Sequence, residues 1–195
     1  MTRSNIIVGC NFTWTALVPN PNEANSALTY YVHLGQLINQ RQRVLGTLLA
    51  HIMSEPAFNI LRTKEQLGYI VSCSRWTLSG DSQFGLRIVV QSERGTGYLE
   101  ERVDAFLDTM ESKLEEMDIE EFNDFKRGLQ HRWREPPKNL GEEASKYWQQ
   151  IDSGFLDFLR RELPRAYVCY GLSMTAHLQQ LSRMLTSLIT SKNMK

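Results

Sequence analysis

Cysteine is scarce in this chain, with Cys10, Cys73 and Cys169 the three among 195 residues. An odd count at wide spacing excludes a disulfide framework and a zinc knuckle. Reduced, mostly buried thiols are the reading that remains, and a cytoplasmic setting is the matching expectation. A charge excess is missing as well. Lys plus Arg and Asp plus Glu each number 22, so the formal net charge is zero. Nucleic-acid binders usually carry a clear basic excess, so no nucleic-acid partner is expected. No apolar run approaches the length that spans a bilayer, and no membrane partner is expected either. The opening MTRSNIIVGCNFTW is too polar, and its apolar part too short, for a signal peptide. Common catalytic fingerprints are absent: no G-x-S-x-G, no P-loop and no dinucleotide-binding glycine motif.

The four histidines, His33, His51, His131 and His177, form neither H-x-x-E-H nor H-E-x-x-H. Those spacings set two zinc ligands on one helix face beside a catalytic glutamate. His51 and Glu55 can share a face, but two ligands without a third make no catalytic zinc site. An ordinary i, i+4 pair is the better reading. An independent enzyme built on His51 or a cysteine ranks last, because no second catalytic group is placed. The RQR at 41–43 reads as a solvated patch.

What is present is an ordinary globular composition, 42% hydrophobic and 23% charged, long enough for one domain with a core. IIVGCNFTWTALV is a candidate strand, PNPNEANS a loop and ALTYYVHL a strand. Residues 36–53 switch to helical spacing through Leu37, Ile38, Leu45, Leu48, Leu49 and Ile52. Glu55-Pro56 predicts a break, then a short helix from about Ala57 to Leu67, with Gly68 as its left-handed stop. YIVSCSRWTL, the turn SGDS and FGLRIVVQSE form a hairpin, with Phe84, Leu86, Ile88 and Val90 on one face and Arg87 and Gln91 on the other. The remainder is helical. Leu99, Val103, Phe106, Met110, Leu114 and Met117 mark one stripe. Asp118 and Glu121 resemble a capping box for the next, with Ile119, Phe122, Phe125, Leu129 and Trp133, which Pro136-Pro137 ends. A further stripe holds Ala144, Tyr147, Trp148, Ile151, Phe155 and Phe158, and all these stripes read as core. The predicted class is α+β: a two-layer domain, a mainly antiparallel sheet with helices packed on one face. Residues 1–163 are assigned to this domain. Residues 164–195 are a divergent tail with one short strand and one amphipathic helix.

Arg62 and Tyr69 flank the short run TKEQLG at the predicted helix–strand junction. The simpler account is structural: Arg62 pairs with Glu65 or Gln66, and Tyr69 packs at the strand start. The chemical account is that both are hydrogen-bond donors that need lose no proton at pH 7. Such donors stabilise an oxyanion and are neither nucleophile nor base. The chain would then hold half of an active site.

SEPAFNILRTKEQLGYIV, continued by GLRIVVQSER, YLEERVDAFLDTM and PPKNLGEEASKYW, closely resembles the insulinase (insulin-degrading enzyme-like) branch of the pitrilysin family of zinc metallopeptidases. The resemblance is to the last of four homologous domains and runs from about PNPNEANSALTYY to about Arg160. Beyond Arg160 the helix and closing strand of the family are not recognisable. The resemblance implies α+β domains, two to each half of the enzyme, whose halves enclose a peptide chamber, with Zn2+ held in the first domain and not by this chain. It implies peptide substrates, and an N-terminal zinc-bearing half as partner, either joined to this chain or separate. Arg62 would hold a substrate carbonyl, and Tyr69 would hydrogen-bond the oxyanion formed when zinc-activated water attacks. On its own the chain is predicted to be inactive. The alternative is a non-catalytic peptide-binding or chamber-forming scaffold domain of the same family.

Overall fold

The structure, a computed structural model, describes residues 12–78, 83–152 and 158. Among the described residues, three strands and four α-helices make an α+β domain, as the patterning predicts. The strands are β1 (Ser26–Gln36), β2 (Ile70–Thr77) and β3 (Gln83–Ser92). They form one antiparallel sheet in the order β1-β3-β2. Leu28 and Val71 flank Val90, and Tyr30 and Cys73 flank Ile88. That register puts Phe84, Leu86, Ile88 and Val90, all fully buried, on the helix-covered face. Arg87 and Gln91 fall on the other face, as strand alternation requires.

Helix α1 (Gln40–Ala57) lies across all three strands. Its start is fixed by Asn39, whose side chain accepts the Gln42 amide at 3.1 Å. Gly46 brings it close, since a Cβ there would stand 2.4 Å from the Phe84 ring. Helix α2 (Thr96–Glu116) packs beside β1 and buries Leu99, Val103, Phe106, Met110 and Leu114. Helix α3 (Ile119–Arg134) packs on α1. Asp118 accepts the Glu121 amide at 2.8 Å, which is half of a capping box; the Glu121 carboxylate turns instead to Lys113. Helix α4 (Leu140–Asp152) follows Pro136-Pro137. Asn139 accepts the Glu142 amide, and Glu142 accepts the Lys138 amide, fixing its first turn.

Several expectations are corrected. Pro56 does not break the helix. Proline removes one rung of the ladder, and the Phe58 amide bridges the Ser54 and Glu55 carbonyls instead. The chain then continues as one wide turn, a π-helix over Phe58–Lys64. Burial on both sides of the proline, at Met53, Ala57 and Leu61, holds the two pieces in line. The resulting 25-residue helical run, Gln40–Lys64, is by length and hydropathy able to cross a bilayer, against the expectation that no run approaches that length. Its apolar face is committed to the sheet. Arg43 is buried, not solvated, because the surrounding turn, Arg43–Gly46, is buried throughout. The described part of the candidate strand before the loop is irregular, with Phe12, Trp14 and Leu17 exposed. Ile119 is exposed at the first position of α3, outside the stripe that buries Phe122 and Leu129. On α4, Tyr147, Trp148 and Ile151 are exposed rather than core, since no described element packs broadly on that helix. The SGDS turn, Phe155 and the tail 164–195 lie outside the described residues.

Candidate functional site

The wide turn delivers Arg62. The Glu65 amide reaches the Ile60 carbonyl at 2.9 Å and the Leu67 amide the Leu61 carbonyl at 3.0 Å, so the turn closes back on itself. Closing it requires a left-handed residue, and that residue is Gln66, at φ 52°. Gly68 was the sequence expectation for this role. Its actual constraint is contact: a Cβ at Gly68 would lie 1.8 Å from the Gln91 carbonyl oxygen of β3. Glycine is therefore needed so that the chain can pass against the β3 backbone just before Tyr69. π-turns and left-handed non-glycine residues concentrate at functional sites.

Arg62 and Tyr69 come together. The Arg62 guanidinium carbon stands 4.9 Å from the centroid of the Tyr69 ring and 4.5 Å from that of Phe58. Cation–π contacts at exposed sites contribute about 0.5–1 kcal/mol each, enough to bias a long side chain toward one place. Arg62 is half-buried, while Tyr69 is 83% exposed and free to meet a ligand. The structural alternative, Arg62 paired with Glu65, is not what forms. Glu65 is taken by Arg102 of α2 through two hydrogen bonds, Nε to Oε2 at 2.8 Å and Nη2 to Oε1 at 2.6 Å. Arg62 makes no salt bridge among the described residues. An open groove of about 510 Å³ beside Tyr69 is lined by Asn25, Gln66–Ile70 and Gln91–Arg94. Sequence reasoning missed Phe58 and Arg102. Phe58 sits four residues before Arg62, a spacing that juxtaposes side chains along a helix and carried the signal. Arg102 is 37 residues from Glu65, and nothing local marks it.

The other candidates carry no such geometry. His51 packs edge-on to Phe125 with ring centroids 6.0 Å apart, and a Cβ at Gly128 of α3 would stand 3.2 Å from its Nε2. Burial and the nearby Arg132 charge lower its pKa, which favours the neutral form of a ring wedged between α1 and α3. The Cys73 thiol is pushed up to about 12 by burial, which makes it a poor nucleophile. Cys10, Cys169 and His177 lie outside the described residues.

Residues 48–148 match the family model described as PQQ synthase PqqF-like, C-terminal lobe domain 4. A Schizosaccharomyces pombe protein named as a zinc protease, mug138, is 45% identical over 156 residues, covering 79% of this chain and 16% of its own length. Insulin-degrading enzyme of Bos taurus is 46% identical over 121 residues, covering 62% of this chain and 12% of its own. A crystal structure of pitrilysin superposes with a TM-score of 0.67 at 29% identity, over 83% of this chain and 17% of that one. The chain thus spans about one sixth or less of the length of these relatives. Zinc is the metal that such names imply. The described residues do not fit it: no three His, Cys, Asp or Glu side chains converge among them.

Proposed function

The chain belongs to the insulinase (pitrilysin) family of zinc peptidases, as domain 4 of the C-terminal lobe, and from that premise we propose that Arg62 and Tyr69 are donors serving peptide hydrolysis. The metal and the water-activating groups belong to a zinc-bearing N-terminal half, the proposed partner. Peptides are the proposed substrates. A backbone carbonyl to which water adds becomes an oxyanion, and donors aimed at that oxygen are worth most where they are already in place. Arg62 offers several N–H groups to the carbonyl, and Tyr69 offers its O–H. The observation that carries the reading is the stack of Arg62 between Phe58 and the exposed Tyr69, with the Glu65 carboxylate drawn off elsewhere. The adjoining groove leaves room for an extended peptide. A cytoplasmic setting goes with this reading, supported by Cys73, a buried free thiol.

The test is cleavage of a quenched fluorogenic peptide by the chain mixed with the zinc-bearing half. Activity is expected on mixing and not from the chain alone. Tyr69→Phe removes one oxyanion donor and should lower kcat about 10²–10³-fold. Arg62→Ala should lower it too. Unchanged turnover in both variants refutes the assignment and leaves a chamber-forming scaffold as the better account.

A further inference from the structure

A guanidinium that must grip a substrate carbonyl has to be kept from its own neighbours. Arg62 has a carboxylate three positions away, Glu65, at the C-cap of the same wide turn; three residues span at most about 10 Å, within the combined reach of the two long side chains. Left to itself Glu65 would occupy the donors of Arg62, and a substrate would have to displace it. The structure shows Glu65 turned away. Arg102, nearly two turns into α2, takes both of its oxygens in a fork-to-fork pair at 2.6 and 2.8 Å. The pair is part-buried, with side-chain exposures of 37% for Arg102 and 20% for Glu65. Two-point geometry of this kind is stronger and more directional than a single contact. The Arg102 guanidinium is held above its ordinary pKa by the Glu65 hydrogen bonds and charge. Glu65 also sits at the C-cap of the wide turn, its amide on Ile60, so its anchor on α2 bears on the segment between Arg62 and Tyr69.

We propose that Arg102 is a positioning residue for the Arg62–Tyr69 site: it sequesters Glu65, which leaves the Arg62 guanidinium free for a peptide carbonyl. The inference rests on the function assigned to Arg62 and Tyr69 above, and it makes a demand that a plain structural clamp does not. Losing Arg102 harms the site because Glu65 is released, so also removing the Glu65 carboxylate should repair it. Arg102→Gln should lower kcat/KM about 10- to 100-fold, the range for one lost hydrogen bond to a charged group. Arg102→Gln combined with Glu65→Gln should recover most of that loss.

Two readouts decide it. In the chain alone, proton exchange at the Arg62 Nε–H, followed by nitrogen-15 NMR, should be fast in the wild type. It should slow in Arg102→Gln as Glu65 closes on Arg62, and become fast again in the double variant. In the mixture with the zinc-bearing half, peptide cleavage should follow the same order, with Tyr69→Phe and Arg62→Ala run alongside and melting temperatures measured for every variant. A double variant as slow as Arg102→Gln, or Arg62 exchange indifferent to Arg102, overturns the proposal. If Tyr69→Phe and Arg62→Ala cleave normally, the parent reading fails, and this one falls with it. If those two are impaired while Arg102→Gln is not, only this one falls.

Discussion

Replacing Gly68 with alanine tests the geometry of the site without touching a donor. The new Cβ would stand 1.8 Å from the Gln91 carbonyl oxygen, 2.9 Å from its carbon and 3.2 Å from the Ser92 Cα. Ordinary contact begins near 3.4 Å, so the two backbones must separate by roughly 1.5 Å, given that neither side is a flexible chain end that can swing away. Gln91 pairs with Ile70 at the first rung of the β2–β3 ladder, so the separation falls on the rung beside Tyr69. Overpacking of this kind costs about 1–3 kcal/mol, and a lost ladder hydrogen bond about 1 more. At 2–4 °C per kcal/mol for a chain of this size, the melting temperature should fall by about 4–16 °C. Gly97→Ala is the control. It lies in the first turn of α2, a Cβ there meets nothing within 4 Å, and alanine is expected to leave stability unchanged or raise it by up to about 1 kcal/mol. Thermal unfolding followed by circular dichroism reads both. A Gly68→Ala protein that melts within about 1 °C of the wild type would refute the claim that glycine stands there for contact with β3.

Cys73 should resist alkylating reagent in the native protein at pH 8, because a thiol pushed up to about 12 is almost wholly protonated there; rapid labelling without unfolding would contradict that. His51 gives a pH dependence whose sign is fixed. Its pKa is lowered in the fold, so the unfolded chain binds the proton more readily, and its contribution is whole above about pH 6.5 and lost as pH falls below it. The stability advantage of the wild type over His51→Gln should therefore shrink between pH 7.5 and 5.5 in denaturant titrations, and a constant or growing advantage would contradict the assigned cause.

How far the sequence disclosed this molecule depends on whether each residue's role is local. The α2 stripe was legible because its residues face one partner surface at one period, and Leu99, Val103, Phe106, Met110 and Leu114 are all buried. Strand β3 was legible for the same reason at period two. Pro56 was misread because the rule for its preceding residue is a local preference, and burial of Met53, Ala57 and Leu61 against one sheet outweighs it. Gly68 was identified as necessary, but for the wrong reason: its constraint comes from Gln91, which is close only once the hairpin has formed. The α4 stripe of Tyr147, Trp148 and Ile151 shows the reverse case. Periodicity reports that a face is apolar, not what covers it, and no described element does so. At the site the same division holds. RTKEQLGY placed Arg62 and Tyr69 on either side of one short segment, and the fold brings them into contact. The sequence also placed Glu65 where it would be expected to pair with Arg62. Only the folding of α2 beside the wide turn supplies Arg102, the competitor that wins that carboxylate. The donors can be read along the chain, but the condition that leaves one of them free is a property of the tertiary structure.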